Sequence, residues 1–184
     1  RLAVAEEKAS VSQARLCLAF RTNTSDSDGA FPALALAQMV LGGGSHAKLF
    51  REVREKASLA YDAYASLERT KGLMLLSAGV DPSETARAEG LILAQVEAVR
   101  AGLISKREWS DSRRTLLNAV LTTGDSPGRR IAAHFEAWLN GSPRSPEETR
   151  RALLAVTPDE ASASARRWAH AATFRLLDRR RGPR

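Results

Sequence analysis

The chain has 184 residues, of which 43% are hydrophobic and 27% charged, and its formal net charge is +7. This length and composition fit one globular domain, residues 1–184, with its own hydrophobic core, and no apolar run approaches the roughly 18 residues that a membrane-spanning helix requires. The positive charge raises nucleic acid as a partner, but the arginines are interspersed with acidic residues and the aromatic content is only 5%, which argues against the stacking platform of a single-strand binder.

Cysteine content and the two ends of the chain bear on its compartment. Cys17 is the only cysteine, so no intrachain disulfide forms, and we expect a buried thiol that behaves as a small hydrophobe. The chain opens on Arg1 without a methionine or the apolar segment of a secretion signal. We therefore expect a piece of a longer polypeptide in the cytoplasm, with the periplasm as the alternative, and a flexible basic tail over residues 179–184.

The first predicted elements are a strand and a helix. Residues 12–21 alternate in the manner of a strand with one buried face, which would consist of Ala14, Leu16, Leu18 and Phe20. A polar loop over residues 22–29 follows. Pro32 stands in the first turn of a predicted helix over residues 31–41, and the three glycines that come next end it.

A short helix and a hairpin are predicted next. From Ser45 a second helix would carry Leu49, Phe50 and Val53 inward. Residues 59–67 then alternate with the two-residue period of a strand, which places Tyr61 on the same face as Leu59 and Ala63. The turn before Gly72 leads into an apolar strand over residues 73–80, so the two strands form a hairpin.

The second half of the chain is predicted to be helical. Helix starts are predicted at Asp81, Ser105, Gly128, Ser145 and Thr157, three of them in capping boxes that pair a Ser or Thr with a Glu three residues later. In the helix over residues 128–140, Ile131, Phe135 and Trp138 have the spacing of core residues. A last strand over residues 173–178 completes an α+β fold, a mainly antiparallel sheet with helices packed on one face.

No complete catalytic site is visible in the sequence. The three histidines, His46, His134 and His170, show no helical i, i+4 pairing of the kind that binds zinc. Cys17 has no base nearby in the sequence, and Gly42–Gly44 match neither a phosphate-binding loop nor a dinucleotide-binding motif. What remains is a glycine-rich segment close to Arg54 and Tyr61.

Two stretches carry a family resemblance. "LGGGSHAKLFREVREKASLAYDAYAS" and "KGLMLLSAGV" resemble the inactive, C-terminal half-domain of the insulinase-type (M16, inverted zincin) metallopeptidases. The resemblance extends to the opening strand and to the pattern G-x-I-S-x-x-E at Gly102 to Glu108. It implies an M16 peptidase-like half-domain as the fold.

The resemblance also implies roles for particular residues. Arg54 and Tyr61 correspond to an Arg and a Tyr that hold the substrate carbonyl, or the oxyanion formed from it, across the cavity from a zinc site. Gly42, Gly43 and Gly44 correspond to a segment that contacts the peptide substrate. Family members bind zinc through His-x-x-Glu-His, which this chain lacks. The resemblance therefore implies that this chain holds no cofactor and cleaves no peptide on its own.

Zinc is accordingly expected in a partner. The partner would be a zinc-bearing M16 domain, placed either upstream in the same polypeptide or in a second subunit of a homo- or heterodimer. The form "VREKASLAY" resembles bacterial members whose paired neighbour carries the zinc, which favours the second arrangement.

Several alternatives stay open at this point. Arg54 is also placed to pair with Glu55 or Asp62 on a solvated surface, and the glycines are also suited to a left-handed helix cap. Ser58 stands where many family members have Gly. For the whole domain, the alternatives are a catalytically silent assembly subunit of the same fold and, ranked last, a basic nucleic-acid-binding domain whose binding falls steeply with salt.

Overall fold

A five-stranded sheet forms the base of the structure, a computed structural model that describes residues 2–141 and 144–179. Its strands run in the order β1-β5-β2-β4-β3. Their bounds are Ala3–Ala9 (β1), Ala14–Arg21 (β2), Ala60–Glu68 (β3), Leu73–Val80 (β4) and Ala169–Asp178 (β5). β1 and β5 are parallel, whereas β5–β2, β2–β4 and β4–β3 are antiparallel. The predicted α+β class with a mainly antiparallel sheet is confirmed.

The helices follow the predicted order. The α-helices of the described residues are α1 (Phe31–Gly42), α2 (Thr85–Arg100), α3 (Lys106–Leu121), α4 (Pro127–Leu139), α5 (Pro146–Ala155) and α6 (Pro158–Arg166). A π-helical segment, Leu49–Lys56, replaces the short α-helix predicted after Ser45. All three predicted capping boxes are present, before α3, α5 and α6.

One continuous hydrophobic core lies between the sheet and the helices. The predicted inner face of β2 is confirmed, because Ala14, Leu16, Leu18 and Phe20 are all at most 1% exposed. Cys17 lies on the other face and is half-buried, and this burial raises the pKa of its thiol. In residues 2–141 and 144–179, no helix combines the length and apolar composition that a membrane crossing needs.

Strand β1 was not predicted from the sequence. Nearly all of its side chains are exposed and its centre reads Glu6-Glu7-Lys8, a charged composition typical of sheet edges. A strand with no buried face has no hydrophobic alternation to reveal it. The N–H of Arg179 donates to the carbonyl of Ala9 at 2.8 Å, and the rest of the predicted tail, residues 180–184, lies outside the described residues.

The prediction that α4 buries its apolar stripe is wrong. Ile131, Phe135 and Trp138 are 70%, 57% and 76% exposed, and α4 has no buried residue. The carboxylate of Glu136 instead lies 3.7 Å from the guanidinium of Arg69 in the body of the domain. α4 therefore turns a polar side toward its own domain and an apolar side outward, the reverse of an ordinary surface helix.

Candidate functional site

Two of the three glycines lie in close packing, and Gly42 packs the end of α1 against strand β3. A Cβ on Gly42 would lie 2.5 Å from the backbone nitrogen of Ala65, and one on Gly43 would lie 2.1 Å from the sulfur of Met39. No left-handed cap forms here, because Gly43 has φ −85° and the positive-φ glycines of the described residues lie elsewhere. Close packing thus accounts for Gly42 and Gly43, whereas Gly44 is exposed and borders only the ring of His46.

The π-helical segment positions Arg54. The N–H of Ala57 donates to the carbonyl of Glu52 at 3.2 Å, a spacing of five residues, and such π geometry is frequent at functional sites. The buried side chains of Leu49 and Val53 anchor the segment. The guanidinium of Arg54 lies over the ring of Phe50, which precedes it by about one turn, 4.5 Å from the ring centroid.

The side chain of Arg54 is exposed and its donors are not used within the domain. Across residues 2–141 and 144–179 it forms no ion pair and no hydrogen bond. Asp62, one of the two carboxylates suggested as its partner, instead lies 2.7 Å from Arg15. The interpretation of Arg54 as half of a surface ion pair is therefore wrong.

A left-handed residue connects the π-helical segment to β3. Ser58 has φ +52°, a region that side chains enter at a cost and that glycine enters freely. The next N–H, that of Leu59, donates to the carbonyl of Val53 at 3.0 Å. A glycine at this position would adopt the same backbone conformation without that cost.

A β-bulge places Tyr61 on the exposed side of the strand. Ala60 lies opposite Val80 and Asp62 lies opposite Gly79, so Tyr61 is an extra residue in β3. Its side chain is 60% exposed, whereas Ala60 and Ala63 on either side of the bulge are buried. The prediction that Tyr61 shares a face with Leu59 and Ala63 is wrong, because the extra residue shifts the alternation.

Arg15 and Gly79, two residues that the sequence analysis did not name, meet Asp62 at the bulge. The Nη1 of Arg15 donates to both carboxylate oxygens of Asp62, at 2.9 and 2.7 Å. The backbone N–H of Gly79 donates to Oδ1 of the same carboxylate at 3.0 Å. An aspartate inside an otherwise apolar and aromatic strand was the one sequence signal of this cluster.

A pocket of about 330 Å³ lies beside the glycine segment and is lined in part by Ser45, His46, Arg51, Glu55, Arg107 and Asp111. Burial lowers the pKa of His46, Asp111 opposes that shift and Arg114 adds to it. Glu108 also lines the pocket, and it forms a buried ion pair with Lys48 at 3.0 Å. Neither Arg54 nor Tyr61 lines this pocket.

The pKa of Glu108 is lowered overall. Burial alone would raise it, but the carboxylate accepts hydrogen bonds from the N–H of Ser105 and from Lys48, and these favour the charged form more strongly. The pair therefore holds the loop after α1 onto the start of α3.

The described residues offer no ligand set for zinc. Within 2–141 and 144–179, no three His, Cys, Asp or Glu side chains come together as metal ligands. The available chemistry is that of hydrogen-bond donors: a permanently charged guanidinium at Arg54 and a phenol at Tyr61. Such donors stabilise a carbonyl oxygen as it gains negative charge.

Comparison with known families gives one match over most of the chain. The family model described as "Peptidase M16 inactive domain" matches residues 2–116. A "probable inactive metalloprotease" of Bacillus subtilis is 36% identical over 63% of this chain, and an "uncharacterized zinc protease" of Mycobacterium tuberculosis is 30% identical over 82% of it. The matched regions cover only 27% and 33% of those relatives, so this chain spans a third or less of their length.

Solved structures agree with this fold. A conserved protein from Enterococcus faecalis superposes on all of this chain with a TM-score of 0.91 at 28% identity, over 43% of its own chain. The peptidase M16 inactive domain from Pseudomonas fluorescens superposes on 97% of this chain with a TM-score of 0.81 at 19% identity, over 44% of its own. At that lower identity the likeness is one of fold.

Proposed function

The chain belongs to the family of peptidase M16 inactive domains, and on this premise we propose that it is the substrate-binding, non-zinc half of a zinc peptidase. The observation that carries the proposal is the exposure of Arg54 and Tyr61 together with their unused hydrogen-bond donors. Both side chains are exposed, and within the described residues neither donates a hydrogen bond to its own domain. They are thus available to a substrate.

The chemistry of the two side chains suits the carbonyl of a bound peptide. The guanidinium of Arg54 brings a permanent charge and N–H donors in fixed geometry, and the ring of Phe50 beneath it limits its freedom. The hydroxyl of Tyr61 adds a directed donor from the bulge. Donors held in place before the reaction stabilise an oxyanion without reorganising, which is the usual source of such catalysis.

The backbone near these donors is suited to an extended peptide. Gly44 is exposed, and only the ring of His46 lies close to the position its Cβ would occupy. We therefore propose that substrate contact by the glycine segment centres on Gly44, with Gly42 and Gly43 shaping the backbone that presents it. The absence of side-chain bulk permits the close approach of another backbone.

Zinc belongs, in this proposal, to another M16 domain or subunit. When bound there it would activate water for attack on the peptide carbonyl, and this chain would bind and orient that carbonyl. The relatives extend well beyond the region that matches this chain, which leaves room for such a domain. We propose the cytoplasm as the compartment, as expected from the sequence.

We further propose that the apolar side of α4 docks onto the zinc-bearing M16 domain. Ile131, Phe135 and Trp138 are each more than half exposed and lie on one side of the helix by their spacing. Exposed apolar patches of this kind mark interfaces. Arg130 and His134 are exposed beside the stripe, so a partner with an apolar centre and an acidic rim fits better than a second copy with the same basic rim.

A catalytically silent assembly subunit is the alternative function. One observation favours it: the Bacillus subtilis relative is itself named as inactive. Such a subunit would use the α4 surface and would leave Arg54 and Tyr61 without a substrate.

The test uses the longer parent polypeptide with its zinc-bearing domain or partner subunit, loaded with zinc and incubated with a mixed peptide library. Arg54→Ala should lower turnover by about 10²- to 10³-fold, the scale for losing one oxyanion donor. Arg113→Ala is the matched control, because Arg113 on α3 also lies over an aromatic ring, that of Trp109, at 6.0 Å. Equal turnover in both variants would refute the role of Arg54.

An inactive wild-type assembly would favour the silent subunit. In that case the association step still separates the two parts of the proposal. Trp138→Ser should weaken binding of the purified zinc-bearing domain at least tenfold while thermal unfolding of the 184-residue chain stays unchanged. Unchanged binding would refute the docking surface.

A further inference from the structure

The carboxylate of Asp62 fixes the direction of Tyr61: we infer that Asp62, held by Arg15, is a positioning residue that maintains the bulge in β3. This inference rests on the role proposed above for Tyr61 as a donor to substrate. Asp62 itself is not proposed to touch the substrate.

The bulge interrupts the regular backbone pairing of β3 with β4, and the side chain of Asp62 supplies a hydrogen-bond acceptor at that point. Because Tyr61 is the extra residue, Gly79 lies opposite Asp62 instead of Tyr61. The N–H of Gly79 donates to the side chain of Asp62, at 3.0 Å, so a carboxylate serves as its acceptor. An unpaired N–H at this position would disfavour the bulge.

Gly79 also provides the space for this contact. A Cβ at position 79 would lie 2.4 Å from Oδ1 of Asp62 and 3.2 Å from Nη1 of Arg15. The guanidinium and the carboxylate thus occupy the space above a glycine of the neighbouring strand. Arg15 on β2, Asp62 on β3 and Gly79 on β4 form a cluster across three adjacent strands, which we call the bulge clamp.

The clamp has a geometric role more than an energetic one. The side chains of Arg15 and Asp62 are 47% and 40% exposed, and ion pairs at that exposure contribute little to stability. Register, by contrast, decides the face on which each side chain lies, because a slip of one residue moves a strand's side chains to the opposite face. Without the clamp, we expect β3 to sample a register in which Tyr61 no longer points outward.

The chain offers a direct test, because Tyr61 and Tyr64 are its only tyrosines. The 184-residue chain carrying Tyr64→Phe is labelled with 3-fluorotyrosine, so that one fluorine signal reports on residue 61. The clamp predicts one narrow resonance for this background, and a shifted, broadened or split resonance after Asp62→Ala. Hydrogen exchange of the Gly79 amide should accelerate at least tenfold in the same variant, because its acceptor is gone.

Three further variants make the test specific. Arg15→Gln should give the same change more weakly, and Asp62→Asn, which keeps an acceptor for Gly79, should restore part of the wild-type signal. Glu147→Gln removes a comparable exposed pair with Arg150, at 2.9 Å on α5, and should leave the resonance unchanged. Thermal unfolding should stay within a few degrees of wild type throughout, which separates lost positioning from lost folding.

The inference is overturned if folded Asp62→Ala and Arg15→Gln proteins both keep the wild-type resonance and the wild-type exchange rate at Gly79. If Asp62→Ala does not fold, the resonance of Arg15→Gln decides in its place. These spectra need no substrate or partner, so their outcome tests the positioning role separately from the proposed function. In an active assembly, Asp62→Ala should lower kcat, and should lower it no further once Tyr61 is already Phe; an additive loss would contradict action through Tyr61.

Discussion

Substituting Gly42 by Ala tests whether the first glycine of the segment is required for packing. The added Cβ would lie 2.5 Å from the nitrogen and 2.8 Å from the Cβ of Ala65, and 3.0 Å from Cδ1 of Leu49. The first contact is with the backbone of β3, which a rotamer change does not relieve. Overpacking of this kind costs about 1–3 kcal/mol, against a gain in helix propensity of at most about 1 kcal/mol at the last residue of α1.

We therefore expect Gly42→Ala to lower the free energy of unfolding by about 1–2 kcal/mol, since the overpacking cost exceeds the propensity gain. For a chain of this size that corresponds to a Tm lower by about 2–8 °C. Circular dichroism during thermal and urea unfolding measures both quantities. Gly44→Ala is the matched control: its Cβ would meet only the side chain of His46, at 3.2 Å, a contact that a shift of a few tenths of an ångström relieves, so its stability should change by less than about 0.5 kcal/mol.

The same pair of variants separates packing from substrate contact. In an active assembly, Gly44→Ala should raise KM for peptides although the domain is as stable as wild type, because the added methyl group keeps a peptide backbone at a distance. If Gly42→Ala proves as stable as wild type, the reasoning from the close approach of α1 and β3 is wrong.

Three further predictions concern Ser58, which follows the π-helical segment, and the two residues of the buried ion pair. Ser58→Gly should stabilise the chain by up to about 1 kcal/mol and Ser58→Val should destabilise it by about 1–2 kcal/mol, because residue 58 has φ +52°; the reverse order in urea unfolding would contradict this. Lys48→Met should cost about 3–5 kcal/mol by leaving Glu108 buried without its cation. Because the folded-state pKa of Glu108 is lowered, its contribution is present above the unfolded-state pKa of about 4.3 and is lost as the pH falls through the folded-state value. Glu108→Gln should remove that part of the acid dependence, and an unchanged pH profile would refute it.

Local features of this fold were predictable from the sequence. The capping boxes at Ser105, Ser145 and Thr157 were predicted correctly because each depends on a residue three positions away and on nothing else in the fold. The inner face of β2 was predictable for a similar reason, since burial of one face imposes a two-residue period on the sequence. These features have in common that the cause and the effect lie within a few residues.

Features that depend on distant parts of the molecule were not predictable in this way. Strand β1 has no buried face, so its pairing with β5 left no periodic signal. The helix α4 was predicted correctly from its period, but the period shows only that one side of the helix is apolar and not which element covers that side. The spacing of Ile131, Phe135 and Trp138 predicted burial, and among residues 2–141 and 144–179 no other element covers them.

The position of Tyr61 shows how a candidate site residue escapes pattern-based prediction. Strict alternation from Leu59 places Tyr61 inside, and one extra residue in β3 moves it outside. The bulge depends on an acceptor at Asp62, a cation at Arg15 on β2 and a glycine at position 79 on β4, residues that lie 47 and 17 positions from Asp62 along the chain. A strand that only had to be buried would have no need of this arrangement, because regular pairing satisfies its backbone without help from side chains. The deviation from regular pairing therefore favours a function for Tyr61 over a packing role, and it marks the same residue that the family resemblance implied.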